Sequence, residues 1–192
     1  MTLPIDLPVM AFPDQAAFEA WLEAEGTTAP GVYVKLAKKG AGVPSVTYPE
    51  IVESALCFGW IDGRSNALDE RFYLQRMTPR RPKSVWSKKN VDAVEGLTAA
   101  GRMRPAGLAA VEAARTDGRW ERAYAGPATI TVPDDLTAAL AAEPTAQREF
   151  EALDGANRYA VLWRVHTANN PALRAKRIAA LVQMLAEGRR IH

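Results

Sequence analysis

The chain has 192 residues, 48% of them apolar and 24% charged, which supports a substantial core without metal or disulfide staples and is far from a disordered composition. Its 24 basic and 22 acidic residues leave a formal charge of +2, too small to imply a polyanionic partner, and a lone cysteine, Cys57, excludes an internal disulfide and fits a reducing compartment. The stretch from Met1 to Phe12 contains Asp6, two prolines and no basic residue, so it does not read as a signal peptide, and no run of about 18 uncharged apolar residues suggests a membrane-spanning helix. The expectation is a cytoplasmic protein with no membrane insertion.

In chain order, Asp14 reads as an N-cap, Phe18, Trp21 and Leu22 recur at helical spacing, and Gly26 stops the pattern. Val32, Val34 and Leu36 alternate with Tyr33 and Lys35 as a strand, which ends in the turn-like Lys39-Gly-Ala-Gly42. Thr47-Tyr-Pro-Glu50 has the form of a capping box, with Val46 and Ile51 placed as a hydrophobic staple, and predicts a helix to about Phe58. Gly59 to Ser65 and Arg71 to Thr78 then predict a β-hairpin turning through Asn66 to Asp69. Period-two alternation puts Trp60, Asp62 and Arg64 on one face of its first strand and makes Phe72 and Leu74 the core side of its second.

Ser84 or Ser87 can cap a helix carrying Val91, Val94 and Leu97, and Pro105 suits the first turn of another with Leu108 and Val111. From Ala123 to Thr131 the pattern loosens, Ile130 to Val132 has a short β-like character, and a boundary is placed there. Beyond it the chain reads as helical. Asp134 caps a segment with Leu136 and Leu140, Pro144 starts one with Phe150 and Leu153, and Tyr159, Leu162, Trp163 and His166 share a helix face. The last helix opens at Asn170-Pro171, buries Ile178, Leu181, Val182 and Leu185, and stops at Gly188.

Chemistry-bearing residues are concentrated between Cys57 and Asn90, which holds eight basic and three acidic residues, a net charge of +5. Metal binding is disfavoured by two histidines, one of them terminal, and a solitary cysteine. Gly63-Arg-Ser-Asn-Ala67 falls short of the nucleophile-elbow pattern and reads as a turn. Cys57 closes the apolar run Ala55-Leu-Cys-Phe58 and reads as a small buried hydrophobe. No catalytic constellation is complete, and no cofactor is implied.

Arg76, Arg80 and Arg81 lead towards the expected helix start at Ser84 to Ser87, where arginine forks and unpaired backbone N–H groups resemble the parts of an anion pocket. Trp60, Tyr73 and Trp86 would supply aromatic walls, Asp62 and Gln75 would orient a ligand, and Arg64 belongs to the same candidate ligand-binding set. The competing reading of the same arginines is a structural ion-pair network. Two further alternatives are an enzyme using Asp62 as acid or base and a nucleic-acid-binding protein. The modest overall basicity and the lack of a recognised motif weigh against the last.

Gly59-Trp-Ile-Asp-Gly63, Gln75-Arg-Met-Thr-Pro-Arg-Arg-Pro82 and Ser84-Val-Trp-Ser87, with Asn157-Arg-Tyr-Ala-Val-Leu-Trp163 and Arg174-Ala-Lys-Arg-Ile178 further on, resemble the YdeI/OmpD-associated family, also labelled bacteriocin-protection proteins. The resemblance implies a YdhG-like first part, a helical module of the bacteriocin-protection type, and a role in stress or bacteriocin protection with no settled biochemical activity. The combined expectation is an α+β protein. Residues 1–122 form a domain with a small antiparallel sheet flanked by helices, and residues 123–192 form a helical module packed on it. Its partner is a small anionic ligand or another protein.

Overall fold

The computed structural model describes residues 6–192, so the first five residues of the N-terminal stretch lie outside it. Among the described residues there are eight helices and one four-stranded mixed sheet, which makes the protein α+β with helices towards the C-terminus, as the sequence implies. The chain divides into two compact units. One comprises the described residues up to Ser84 with Asn90–Trp120, the other Val85–Lys89 with Glu121–His192.

The first unit contains β1 (Val9–Ala11), α1 (Gln15–Glu25), β2 (Val32–Ala37), α2 (Tyr48–Cys57), β3 (Trp60–Ala67) and β4 (Phe72–Pro79). It also holds most of α3 (Lys88–Ala99) and all of α4 (Pro105–Thr116). The strand order is β1-β2-β4-β3. β3 and β4 form the expected antiparallel hairpin, and β2 runs antiparallel to β4. The sheet is mixed because β1 pairs parallel with β2, with α1 as the crossover that a parallel pair requires. A strand of three residues, hemmed in by Pro8 and Pro13, is too short to show an alternation, so nothing in the sequence pattern marked β1.

Local signals account for the helix starts in this unit. The Asp14 side chain accepts from the Ala17 N–H at 2.9 Å, and the capping box of α2 is present, with Glu50 accepting from the Thr47 backbone N–H at 2.7 Å. The α2 and α4 backbones approach closely: a Cβ on Gly107 would lie 2.1 Å from the Cys57 carbonyl oxygen, so only glycine fits there.

The core side of β4 is the reverse of the expectation. Met77 and Gln75 are buried on the face that also carries Val32, Val34 and Trp60, and Trp60 meets Trp21 of α1 edge-on with centroids 5.6 Å apart. Leu74 is buried on the opposite face, in a small cluster with Leu7 and Tyr33, and Phe72 is half-buried beneath the Lys35 ammonium. Both faces of the strand carry apolar residues, so alternation alone could not tell the main core from the satellite. Leu108, grouped with Val111 as an apolar residue of α4, is 46% exposed, while Val111 is buried.

The second unit is built from α5 (Asp134–Ala141), α6 (Pro144–Glu151), α7 (Gly155–His166) and α8 (Pro171–Ala186). Leu136, Leu140, Phe150, Leu162, Ile178, Leu181 and Leu185 meet in one core, so the helical periodicity of this part was legible. Asp154 and Asn170 cap α7 and α8, accepting from the Asn157 and Leu173 N–H groups. Pro133, not Asp134, occupies the N-cap of α5, and Ile130 to Val132 has no strand partner and packs against the helical core instead.

Candidate functional site

The residues singled out in the hairpin are distributed over both faces of the sheet, and most have a structural task. The Trp60 indole N–H donates to the Gly26 carbonyl at 3.0 Å, satisfying an acceptor at the C-terminal end of α1. A β-bulge between Asp62 and Ser65 breaks the alternation that grouped Arg64 with Trp60 and Asp62. The buried Gln75 amide donates to the Gly63 carbonyl at 2.7 Å and so fastens the bulge. Arg76 points to the other face, where it pairs with Asp6 at 2.8 Å, and Tyr33 donates its hydroxyl to the same carboxylate. That contact holds the Asp6 carboxyl below the usual carboxylate range.

Arg64 and Arg81 are exposed, and Arg80 is half-buried with its backbone N–H on the Gly59 carbonyl. Ser84 and Ser87 lie upstream of the first residue of α3, Lys88. The Ser84 hydroxyl accepts from the Arg81 N–H at 3.0 Å within a turn, and Ser87 forms a β-bridge with Tyr124. Trp86 is buried and belongs with Ser87 to the second unit, while Trp60, Asp62, Tyr73 and Gln75 belong to the first.

A groove of about 690 Å³ opens in the first unit between the loop from Lys38 to Thr47, the start of α2, and Tyr73. Gly40 and Gly42, both with positive φ, turn this loop, and Arg71 steadies it by donating to the Ala41 carbonyl. Beside it, the Tyr48 hydroxyl donates to the Asp62 carboxylate at 2.7 Å, and burial raises the pKa of Tyr73. The loop presents Lys38 and Lys39 to solvent. The Lys38 ammonium is engaged with the Asp69 carbonyl at 2.8 Å.

The second unit has a more apolar groove of about 720 Å³. Tyr159 and Trp163, one turn apart on α7, stand over Ala156 and Ala160, and the segment from Tyr124 to Pro127 forms the opposite wall. Tyr124 meets Trp163 edge-on with centroids 5.9 Å apart, and the Tyr159 hydroxyl donates to the Ala125 carbonyl at 3.4 Å. Burial and the neighbouring Tyr124 raise the pKa of Tyr159. Tyr124, Tyr159 and Trp163 are each only half-buried. The sequence placed Tyr159 and Trp163 on one helix face but did not separate that face into core and groove. Leu162 goes to the core, and the aromatics stay at the surface.

Two reactive side chains are committed elsewhere. Burial, reinforced by the Glu19 carboxylate, pushes the Cys57 thiol up to about 11, so it stays protonated and unreactive at neutral pH. His166 holds the Thr131 carbonyl through Nε2 at 2.9 Å, which ties the linker ahead of α5 to the end of α7. Among the described residues no cluster of three or more His, Cys, Asp or Glu side chains could hold a metal ion, and no helix is long and apolar enough to cross a membrane.

The model of a family described as a domain of unknown function (DUF8412) matches residues 10–110, just over half of the 192-residue chain. The chain belongs to that family. A second family model, described as bacteriocin-protection, YdeI or OmpD-associated, matches residues 129–188 and bears out the resemblance read from the sequence. No curated protein and no solved structure matches the chain. The DUF8412 match runs from β1 into α4 and includes the Gly59–Gly63 and Gln75–Pro82 motifs, whereas the bacteriocin-protection match spans α5 to α8. The groove in the first unit therefore falls within the DUF8412 match. Tyr159 and Trp163 fall within the bacteriocin-protection match, with Tyr124 and Pro127 just ahead of it.

Proposed function

We propose that the protein is a cytoplasmic, non-catalytic protection protein that acts by holding a protein partner in the groove of Tyr124, Tyr159 and Trp163. One observation carries the reading. Three half-exposed aromatic side chains line a single groove in the unit whose helices match the bacteriocin-protection family. Large, rigid aromatics with a polar tip supply contact area at low entropic cost and are enriched where proteins bind one another. The protonated, buried thiol of Cys57 argues against a cysteine nucleophile.

The test is survival of a bacteriocin-sensitive bacterium producing the full chain. Wild-type protein should raise survival. Trp163→Ala should abolish the gain at equal abundance, with a stability cost of only about 1–2 kcal/mol for a half-buried aromatic that loses one ring contact. Equal protection by Trp163→Ala overturns the reading.

The 690 Å³ groove of the first unit favours a second reading, a small anionic ligand, because Lys38 and Lys39 sit at its mouth and Tyr73 offers a hydroxyl. Thermal-shift titration with inorganic phosphate and simple carboxylates tests it, since a ligand at a hundred times its dissociation constant stabilises by about 2.7 kcal/mol. No stabilisation by any of these anions, or one unchanged by Lys39→Ala with Tyr73→Phe, rejects it.

A further inference from the structure

The aromatic groove of the second unit has a shape and charge that narrow its occupant. Its floor is Ala156 and Ala160, one helical turn apart on α7, so a backbone can come close to the helix surface there. Tyr159 and Trp163 rise from the same helix face, about 6 Å apart along the helix axis. Tyr124 stands edge-on to Trp163 and fixes the indole plane.

The groove is short of donors bound elsewhere. Among the described residues the Trp163 indole N–H makes no hydrogen bond, so it is available to an incoming carbonyl. The Tyr159 hydroxyl has only one long bond, at 3.4 Å, to the Ala125 carbonyl. Aromatic walls, a flat small-residue floor and outward N–H and O–H donors suit a ligand with apolar rings and regularly spaced, unpaired carbonyls. A polyproline II segment has these properties: it makes no internal hydrogen bonds, rises about 3.1 Å per residue, and has little conformational entropy left to lose.

Charge fixes the flank. The groove lining includes Arg164 and His192 and no Asp or Glu side chain. An Arg164 N–H donates to the Ala160 carbonyl at 3.2 Å, which holds the guanidinium at the end of the floor.

We infer that the Tyr124–Tyr159–Trp163 groove binds an extended, proline-containing peptide segment of a partner protein, with an acidic residue of that segment placed against Arg164. The inference rests on the partner-binding reading and specifies the partner's chemistry. Proline rings pack on Tyr159 and Trp163, the indole N–H donates to a peptide carbonyl, and the acidic residue pairs with the guanidinium at the groove's end.

The experiment uses the full chain and three synthetic peptides: hexaproline followed by two aspartates, hexaproline followed by two lysines, and an alanine-based helical peptide ending in the same two aspartates. Binding is read from the NMR signal of the Trp163 indole N–H and from calorimetry. Both proline peptides should shift that signal, with the aspartate peptide about two- to fivefold tighter at low salt, as an exposed ion pair provides, and the gap closing at high salt. Trp163→Ala should weaken both proline peptides by about tenfold or more, and Ala156→Arg, which fills the exposed floor without touching the core, should do the same. Arg164→Gln should remove only the difference between the aspartate and lysine peptides.

Proline peptides that leave the indole signal unmoved overturn the inference. So does preferential binding of the helical peptide, or a second copy of the chain filling the groove in sedimentation at the NMR concentration. The two readings fail separately. Protection that depends on Trp163 without proline-peptide binding sinks only this inference, whereas protection indifferent to Trp163 sinks the partner reading itself.

Discussion

The two units use their conspicuous side chains in opposite ways. In the first, most of the polar and aromatic residues singled out in the hairpin motif are turned inward or tied locally, Arg64 and Arg81 excepted: Trp60 closes the end of α1, Gln75 fastens the bulge, and Arg76 latches Asp6. In the second, an unremarkable helical stripe sends Leu162 to the core and leaves Tyr159 and Trp163 lining a groove. The contrast teaches that a dense, recognisable motif can be mainly a folding device. A groove can instead arise where a helix sends one large apolar side chain to the core and leaves neighbouring aromatics half-exposed. Burial with a satisfied internal partner marks the first kind, and half-exposure with spare donor capacity marks the second.

The strongest way to break the comparison is to disturb the first unit where it has no slack. Gly107→Ala places a methyl group against the Cys57 carbonyl, and backbone on both sides prevents simple relief. It should cost about 3 kcal/mol or more, seen as a lowered midpoint in chemical denaturation, since overpacking a tight contact rarely relaxes fully. A variant as stable as wild type means that α2 and α4 can separate freely, and the close approach of the two helices is then not a determinant of the fold.

Next comes the motif itself. Gln75→Ala removes the amide from the Gly63 carbonyl and leaves a buried acceptor at the bulge, so we expect a loss of about 2 kcal/mol. Survival under bacteriocin challenge should be unchanged wherever the variant remains folded. A stable Gln75→Ala that loses protection would reverse the roles assigned to the two units.

These tests also show what the sequence made legible. Capping residues and first-turn prolines located six of the eight helix starts to within a residue, because signals such as Asp14, Thr47 and Asn170 act over three residues of chain, whereas no start was read for α7, which Asp154 caps. The start of α3 was the loose one: Ser84 and Ser87 were both plausible caps, and the helix begins at Lys88. The core of the second unit followed from helical period. The sheet was harder, since its register depends on distant partners. Neither the β1 pairing nor the bulge between Asp62 and Ser65 leaves a local signature, and that bulge is what separates Arg64 from Trp60 and Asp62. Asn157 was quoted only as part of a family motif. Its task, accepting the backbone N–H groups of Ile191 and His192, joins residues more than thirty apart and is invisible to periodicity.

Asn157 offers a finer test within the second unit. Its carbonyl oxygen accepts from Ile191 at 3.1 Å and His192 at 3.0 Å, while its amide donates to the Asp154 cap. Asn157→Ala should cost about 1–2 kcal/mol and specifically accelerate amide hydrogen exchange at Ile191 and His192, where the lost acceptor is felt first. Exchange left slow at both amides means that packing, not Asn157, retains the terminal segment.

The smallest expected effect concerns charge. Arg174 forks onto Asp135 at 2.5 and 2.8 Å, and this contact holds the Asp135 carboxyl below its ordinary range. The folded state therefore binds the Asp135 proton less readily than the unfolded state. Its contribution to stability is full above the unfolded value near about 3.9 and is lost as pH falls through the lower folded value. Because Asp135 is 46% exposed, solvent screening limits that contribution to no more than about 1 kcal/mol. Asp135→Asn should thus be slightly less stable than wild type at pH 7, and the difference should shrink as the pH is lowered below about 4. A gap that persists unchanged into strong acid means that the ion pair with Arg174 is not its source, since the asparagine amide oxygen can still accept the Leu136 N–H that Asp135 accepts at 2.9 Å.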